Sequence, residues 1–549
     1  MLSLIDLPPE LLLQIFGKIA VQDILSVRQT CHFQYNATHE RSVWFDALYT
    51  LAVQQHLPLP GLHSRQIINL DSSELERLAR RASRYHQNWT SPSPTCTRRT
   101  EIDSIEISPH AGVRILAIHF LPGKGGRYLL SSSFLESSLE PRSISMDCWD
   151  VDGDVPKRVA TISFSSFASI VVNQDPEHPG VVAVTRRSTN NVQAEGEPIT
   201  SVYSINLESE DPESVFSLIS EFPSARYPII MHGSRFLSAN HITNTTQVID
   251  TESGDLICVL CTPLVNNDPT LSGFEDFRCL DAVVWQQFVL IFRQNWIHLY
   301  KIPNRSQAST LHSNSPDHPP EIRPVATHKW PWRIDSLEVS THDSFVSRHA
   351  RFMSQPLPPN QPPMINILLR FDSWYPWPVN TLHHYTLSPC SSYHRSSAVL
   401  PYLAADSIPF METSITSHMR LFTPSDLTIG QYGTALWIDA QSDLTSSTQA
   451  GDLGQRLAGK VLRSERDSSW DSDRPLLKPG LPGVLLLTNE LEENMGTSGS
   501  LVPVMVFGVW ETHSEWSKVA VEEGEGRIAL GSVEGRICVM DYVPRGMEL

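Results

Sequence analysis

Few residues in this 549-residue chain sit at spacings that support chemistry. Cys258 and Cys261 form a C-x-x-C pair with Cys279 further on, but a zinc site needs a fourth ligand and a turn between the paired cysteines. Ile257, Val259 and Leu260 read instead as strand, which points the two sulfurs to opposite faces and makes them core residues. Asp150-Val-Asp152-Gly-Asp154 could open a calcium loop, yet such a loop needs its glycine two positions later and a carboxylate at the twelfth position, where Thr161 stands. A strand followed by a turn accounts for these acids. Gly123-Lys124-Gly125-Gly126 lacks the spacing of a phosphate cradle and reads as a hairpin turn. His383 and His384, adjacent on a strand, face opposite ways, and neither H-E-x-x-H nor G-x-S-x-G occurs. No catalytic, cofactor-binding or metal-binding residue is assigned, and the chain is expected to work by binding rather than by catalysis.

The stretch that suits binding runs from Leu7 to Trp44. Pro8 and Pro9 fit the first turn of a helix and Glu10 favours its positive end. Leu11, Leu12, Ile15, Phe16 and Ile19 then recur at three- and four-residue spacing, giving an apolar stripe too wide for so short a helix to bury alone. Asp23 is placed to cap a second helix with Ile24, Leu25 and Val27, and a third apolar-periodic segment leads into Val43, Trp44 and Leu48. Short helices with surplus apolar surface call for a partner.

Leu7, Pro8, Glu10, Leu11, Ile15, Phe16, Asp23, Leu25, Val27, Cys31 and Trp44 resemble, in order and spacing, the pattern of the F-box family. The chain departs from it at Gln34, where many members carry an aromatic residue. The resemblance implies binding to the Skp adaptor of a cullin-RING ubiquitin ligase, with this chain as substrate receptor. It places the adaptor interface on Leu7, Pro8, Leu11, Leu12, Ile15, Phe16, Ile24 and Leu25.

Composition narrows the remaining classes. The net charge of −18 falls outside the first hundred residues, since residues 1–100 hold 10 Lys+Arg against 8 Asp+Glu. Without clustered Lys and Arg the chain is a poor nucleic-acid binder. Asp6, Glu10 and two prolines interrupt the apolar start, which argues against a signal peptide, and no run is long enough to span a bilayer. Eight dispersed cysteines fit a reducing compartment, so the expected location is cytoplasmic or nuclear.

The elements that position these residues fall into blocks. Residues 1–50 read as the F-box and 51–100 as a helical linker. In the linker Ser73 with Glu76 suggests a capping box, Leu75, Leu78, Ala79, Ala82 and Tyr85 an apolar face, and Arg77, Arg80, Arg81 and Arg84 a solvated one. From about Ile102 the period changes to alternation, in short strands with turn signals between them and no long helix. Cys148-Trp149-Asp150, Val248-Ile249-Asp250 and Val539-Met540-Asp541 look like closing strands of WD-type repeats, and EGRIALGSVEGRICVMDY like a half-blade. The fold class is therefore multidomain, α plus all-β: a helical F-box and linker, then a β-propeller over 101–549 with roughly seven blades at the usual repeat length. A pair of β-sandwiches is the alternative.

Residues near 303–325, 354–363 and 441–482 are rich in Ser, Pro, Asp and Gly and read as insertions. Trp330-Pro331-Trp332 and Trp374-Tyr375-Pro376-Trp377-Pro378 are expected to pack at blade corners, although exposed they would suit a protein partner. The resulting expectation is the substrate-recognition subunit of an SCF-type ubiquitin ligase, bound through Skp to a cullin and holding an unidentified protein substrate, with no membrane and no nucleic-acid partner. The alternative is a propeller scaffold without a ubiquitin-transfer role. Arg114, Arg186, Arg187, Arg235 and Arg293 are the arginines a phosphorylated substrate could draw on.

Overall fold

Pro9 takes the first position of helix α1 (Pro9–Phe16), with Glu10 in its first turn. A missing N–H costs nothing there, and the carboxylate meets the positive end of the dipole. Short helices α2 (Val21–Arg28), α3 (His32–Ala37) and α4 (Arg41–Tyr49) follow, and the chain runs on through a π-helical turn, Thr50–Gln54. Asp23 does not cap α2: Ala20 holds the N-cap position without a side-chain bond, and Asp23 lies in the first turn, where its charge acts on the dipole only. Helix α5 (Ser72–Trp89) does open on a capping box, but it is built by Asp71 and Glu74, Asp71 accepting from the Glu74 N–H at 2.8 Å. Ser73 and Glu76 are already inside the helix, and Glu76 is committed to Arg28. The expected apolar face of α5, Leu75, Leu78, Ala79, Ala82 and Tyr85, is buried.

This computed structural model describes residues 7–543 except 63–64, 137–142, 166–167, 188–196, 210, 264–276, 304–318, 356–360, 373–380, 395–397, 418–425, 441–453, 463–503 and 511–514. Among the described residues the strands form seven sheets, antiparallel except for one short pair, each built mostly from strands consecutive in sequence. They are the blades of a β-propeller, spanning residues 112–164, 168–223, 227–261, 279–329, 334–416, 427–510 and 516–541. The last blade lacks a fourth strand of its own. Strand β1 (Arg98–Ile102) supplies it, pairing antiparallel with Ile537–Asp541 from Arg98↔Asp541 to Ile102↔Ile537. The ring is thus closed by both ends of the β-domain, which starts at Arg98, a few residues before the alternation becomes visible.

Cys148-Trp149-Asp150, Val248-Ile249-Asp250 and Val539-Met540-Asp541 end the third strand of their blades, not the outermost one. Glu321–Ile322, within a segment read as insertion, pairs in parallel with the outer strand of the third blade, Leu256–Cys261. Gln455–Val461, also read as insertion, is the third strand of the sixth blade. Its alternation was too short to stand out from the polar sequence around it. Residues 304–318, 356–360, 441–453 and 463–482 of the expected insertions, and the cluster at 374–378, lie outside the described residues.

Two further helices interrupt the strands: α6 (Ser104–Ile107), and α7 (Phe345–Phe352), inserted between the first two strands of the fifth blade. Ser344 caps α7 by accepting from the Ser347 N–H at 3.2 Å. Its Phe352 belongs to the same apolar cluster as Leu12, Phe16, Ile24, Trp44 and Leu78. A propeller residue therefore completes the core of the N-terminal helices.

Candidate functional site

Burial divides the stripe on α1. Leu12 and Phe16 are almost fully enclosed, as is Ile24 of α2, and all three sit in the helical core. Leu11 and Ile15, on the other side of α1, keep 45% and 38% of their surface exposed. Pro8 is exposed as well, and Leu7 and Leu25 are half-buried. Phe33 and Tyr35 on α3 are exposed beside them in sequence, with Gln34 between them buried at 2%. So the position at which an aromatic residue is expected holds a buried amide, and the aromatics flank it on the surface. A helix must place residues one turn apart on one side, so Leu11 and Ile15 form one continuous apolar ridge.

The geometry of this surface is fixed from behind by Arg28. Its guanidinium makes two parallel bonds to the Glu76 carboxylate, 2.8 and 2.9 Å, and donates to the Thr38 hydroxyl and carbonyl at 3.0 and 3.2 Å. It also lies 5.3 Å from the Trp44 ring centre, and Trp44 Nε1 donates to the same Thr38 carbonyl at 2.8 Å. One side chain thus joins α2, the end of α3, α4 and α5. Arg80 adds a weaker pair to Glu76 at 3.3 Å and Arg81 approaches Glu525 at 3.8 Å, so these two arginines are not purely solvated.

Helix α5 carries the module onto the propeller. Tyr85 and Trp89 enter an apolar cluster with Leu436, Phe507, Trp516 and Tyr542 of the sixth and seventh blades. Their polar ends are satisfied there: Tyr85 Oη donates to the Glu523 carbonyl at 3.1 Å, and Trp89 Nε1 to Thr434 Oγ1 at 2.8 Å. The Glu523 carboxylate accepts from the Tyr432 and Thr434 N–H groups at 2.7 and 2.9 Å, and its packing leaves no room for a side chain at Gly430. Burial raises the Glu523 carboxyl, and raises the neighbouring Glu522 to about 7 with help from the charges of Glu525 and Glu523. Elsewhere along the seat Tyr49 Oη lies 3.0 Å from His349 Nδ1 on α7, and the His56 ring stands 4.1 Å from that of His342. This seat was not foreseen. The only sequence signals for it were an acidic turn, VEEGEG, and a capping serine before an isolated helical segment, FVSRHARF.

The contacts with Glu523, Thr434, His349 and His342 use the segments between the first and second strands of the fifth, sixth and seventh blades, and Tyr542 lies on the same face, at the end of the seventh blade's third strand. Antiparallel strands reverse at each step, so the turns between second and third strands, and the links between blades, lie on the opposite face. That face is clear of the helical module. Between the two faces, the innermost strands of the fourth to sixth blades carry Asp281 and Glu338, with Asp426 just ahead of the sixth blade's first strand. Burial raises Asp281 to about 7, and burial plus the charges of Asp281 and Asp426 holds Glu338 well above the usual carboxylate range. Lys518 stands 4.0 Å from Asp426.

The residues first considered for chemistry have structural partners. Cys258 and Cys279 are buried, Cys261 half-buried, and burial pushes the first two thiols up to about 12. Among the described residues no group of three His, Cys, Asp or Glu side chains is placed to hold a metal ion. His384 is buried against Asn366 at 3.2 Å while His383 meets Ser414 at 3.0 Å, on opposite faces. Asp150 pairs with Arg127 at 2.7 Å, and Asp152 accepts from Arg527. Arg527 and Arg98 each bond Asp541 at 2.8 Å, so the acidic turn belongs to the seam that closes the ring. Gly123, Gly125 and Gly126 adopt positive φ in a hairpin turn. Trp330 is buried, whereas Trp332 is 61% exposed and departs from the packed role expected of both. Arg235 is tied to the Gln286 carbonyl on the module's face and Arg293 is buried, so the arginines considered together in the sequence do not converge.

A profile of the F-box-like family matches residues 4–48. No curated protein matches the chain. Among solved structures, a humanized mutant of the Chaetomium thermophilum Polycomb Repressive Complex 2 bound to the inhibitor GSK343 is similar at 9% identity and a TM-score of 0.42, over 83% of this chain and 98% of that one. The same complex bound to GSK126 gives 9% and 0.41, over 82% and 99%.

Proposed function

Since residues 4–48 are an F-box-like domain seated on a seven-bladed propeller, we propose that the chain is the substrate-recognition subunit of an SCF-type ubiquitin ligase. The helices bind the Skp adaptor, and through it a cullin, and the propeller binds a protein substrate. The observation that carries this reading is the exposed Leu11–Ile15 ridge on a module whose core is closed by Leu12, Phe16 and Ile24 and whose α5 side is packed on the propeller. Leu11 and Ile15, with Pro8 and the half-buried Leu7 and Leu25, make direct contact with the adaptor. Leu12, Phe16 and Ile24 act from beneath, by holding α1 and α2 in place.

The chain has no active site of its own in this reading. Its contribution is proximity, because a substrate held at a fixed distance from the ligase presents its lysines at high effective concentration. The two-sided seat of α5 and α7 on the propeller supports a fixed distance. Such a receptor works in the cytoplasm or nucleus. The test is co-purification of the full chain with a Skp adaptor, comparing wild type with Leu11→Asp/Ile15→Asp. Both positions are exposed, so the variant keeps its fold. Capture by wild type and loss in the variant is the expected result, and no capture by wild type defeats the proposal. Substrate turnover that ignores the double variant would leave the scaffold reading in its place.

A further inference from the structure

The face of the propeller turned away from the helical module carries positive charge interleaved with aromatic surface across the third to fifth blades. Arg226 and Tyr227 open the first strand of the third blade, with the guanidinium 5.2 Å from the ring centre of Tyr227. The other side of Tyr227 stacks on His241 at 4.1 Å, and Ile242 beside it is 79% exposed. Arg278 precedes the fourth blade and is exposed. At the outer part of that blade Lys329 lies 5.5 Å from the Trp296 ring, and the exposed Trp332 follows in the link to the fifth blade. Each of these positions is at a blade-to-blade link or a second-to-third turn, or flanks one, which puts all of them on the clear face.

The charges acting on His241 are all positive. Burial and the charges of Arg278, Arg293 and Arg226 together press the His241 imidazole down to about 4. Among the described residues neither Arg226 nor Arg278 makes an ion pair. Among the described residues the acids on this face of the ring include Asp335 and Asp372 at the fifth blade, the second 3.7 Å from Arg333, and, on the second and sixth blades, Glu221 and Asp439, which are paired with Arg186 and Arg456. In a chain of net charge −18 a cationic stretch is the exception to the rest of the surface. Exposed Arg, Tyr and Trp side chains are also the types that dominate binding energy at protein interfaces.

We infer that Arg226, Tyr227, Arg278, Trp296, Lys329 and Trp332 form a docking surface for an extended acidic polypeptide segment with interspersed apolar residues. The cations are spaced one or two to a blade, and Arg226 and Lys329 each lie over an aromatic ring. Arg293, which could have made them converge, is buried with its guanidinium donating to the Phe277 carbonyl and Thr246 Oγ1. Spaced single charges suit carboxylates distributed along a strand better than one concentrated dianion. The overall acidity opposes nucleic acid, whose binding scales with the number of phosphates neutralised. This inference deepens the proposed receptor role by naming the class of substrate segment.

The test uses the full chain and short fluorescein-labelled peptides read by fluorescence anisotropy. One peptide alternates glutamate with leucine, and the others replace each glutamate by lysine, glutamine or phosphoserine. The glutamate peptide is expected to bind, the lysine and glutamine peptides not, and binding should weaken with added salt. Arg226→Glu/Arg278→Glu should weaken it about tenfold or more and Trp332→Ala should weaken it as well, whereas Arg186→Glu on the second blade should not. Equal binding of glutamate and glutamine peptides, indifference to the double arginine variant, stronger binding of the phosphoserine peptide, or tighter binding of a labelled single-stranded RNA would each overturn the inference. Skp capture by the double arginine variant is measured in parallel. Peptide loss with capture retained isolates this surface, and absence of capture in the wild type is a failure of the receptor reading instead.

Discussion

Arg28 on α2 and Glu76 on α5 face each other through two parallel hydrogen bonds of 2.8 and 2.9 Å, with both side chains less than 15% exposed. The pair joins the helices that carry the ridge to the helix that seats on the propeller, and Thr38 and Trp44 complete its shell. Bidentate Arg–carboxylate geometry fixes orientation as well as distance, which is what a receptor holding two partners apart requires.

Breaking this pair on one side should be costly. Glu76→Ala is expected to lower stability by about 3 kcal/mol, since it leaves a largely buried guanidinium short of its partner. Replacing both, Arg28→Met/Glu76→Leu, should restore much of that loss. Chemical denaturation of the three proteins gives the comparison, and equal losses in single and double variants would contradict the account.

The seat of α5 depends on Trp89. Truncation to alanine removes a ring packed against Phe507 and Tyr542, at 4.9 and 5.5 Å between centroids, and its bond to Thr434. A loss of about 3–5 kcal/mol is expected from the cavity alone. Limited proteolysis should then cut the 90–97 connection faster, which wild type resists.

Ring closure rests on Asp541, shared by Arg98 and Arg527 at 2.8 Å each. Asp541→Asn keeps the shape but removes the charge between two largely buried guanidinium groups. A lower Tm and earlier hydrogen exchange in Arg98–Ile102 than in the inner strands should follow. Uniform exchange across the seventh blade would speak against closure as the weak point.

Two opposite pH trends are built in. Burial presses His298 to about 3 and His384 to about 4, so on acidification the unfolded chain takes up their protons first. Stability should therefore fall from about pH 6.5 toward 4, by at most about 1.4 kcal/mol per pH unit for each histidine. Glu522 works the other way. Its folded value near 7 lies above the ordinary 4.5, so the folded state holds the extra proton between those values and its contribution to stability is lost as pH rises from about 4.5 to 7. Melting curves against pH should show His384→Asn flattening the fall on acidification and Glu522→Gln steepening it, because Glu522 opposes the histidines in the same window. An unchanged acid limb in the first variant would refute the assignment.

The sequence alone determined what depends on local periodicity. A proline start and a three-to-four spacing dictate α1, and the same signals that resemble an F-box are the ones the family profile matches over 4–48. Alternating residues gave the strands, and their repetition gave the propeller, because each strand must bury its two faces against neighbours of the same kind. The errors at Asp23 and Ser73 were shifts of a few residues, where a competing acceptor or a longer-range partner such as Arg28 decided the cap.

Tertiary structure alone decided what depends on residues far apart in the chain. Which side of α1 is core and which is ridge follows from its packing on α3 and α4, and the same cluster is completed by Phe352, more than three hundred positions away, against Phe45 and Tyr49. Arg98 closes a blade with Asp541, α7 becomes a strut between the fifth blade and the helices, and Arg226, Arg278 and Trp332 share a face only because the ring brings their blade ends together. Spacing in sequence carries no record of such meetings. They are set by the closure of the ring and by the face on which the helices dock.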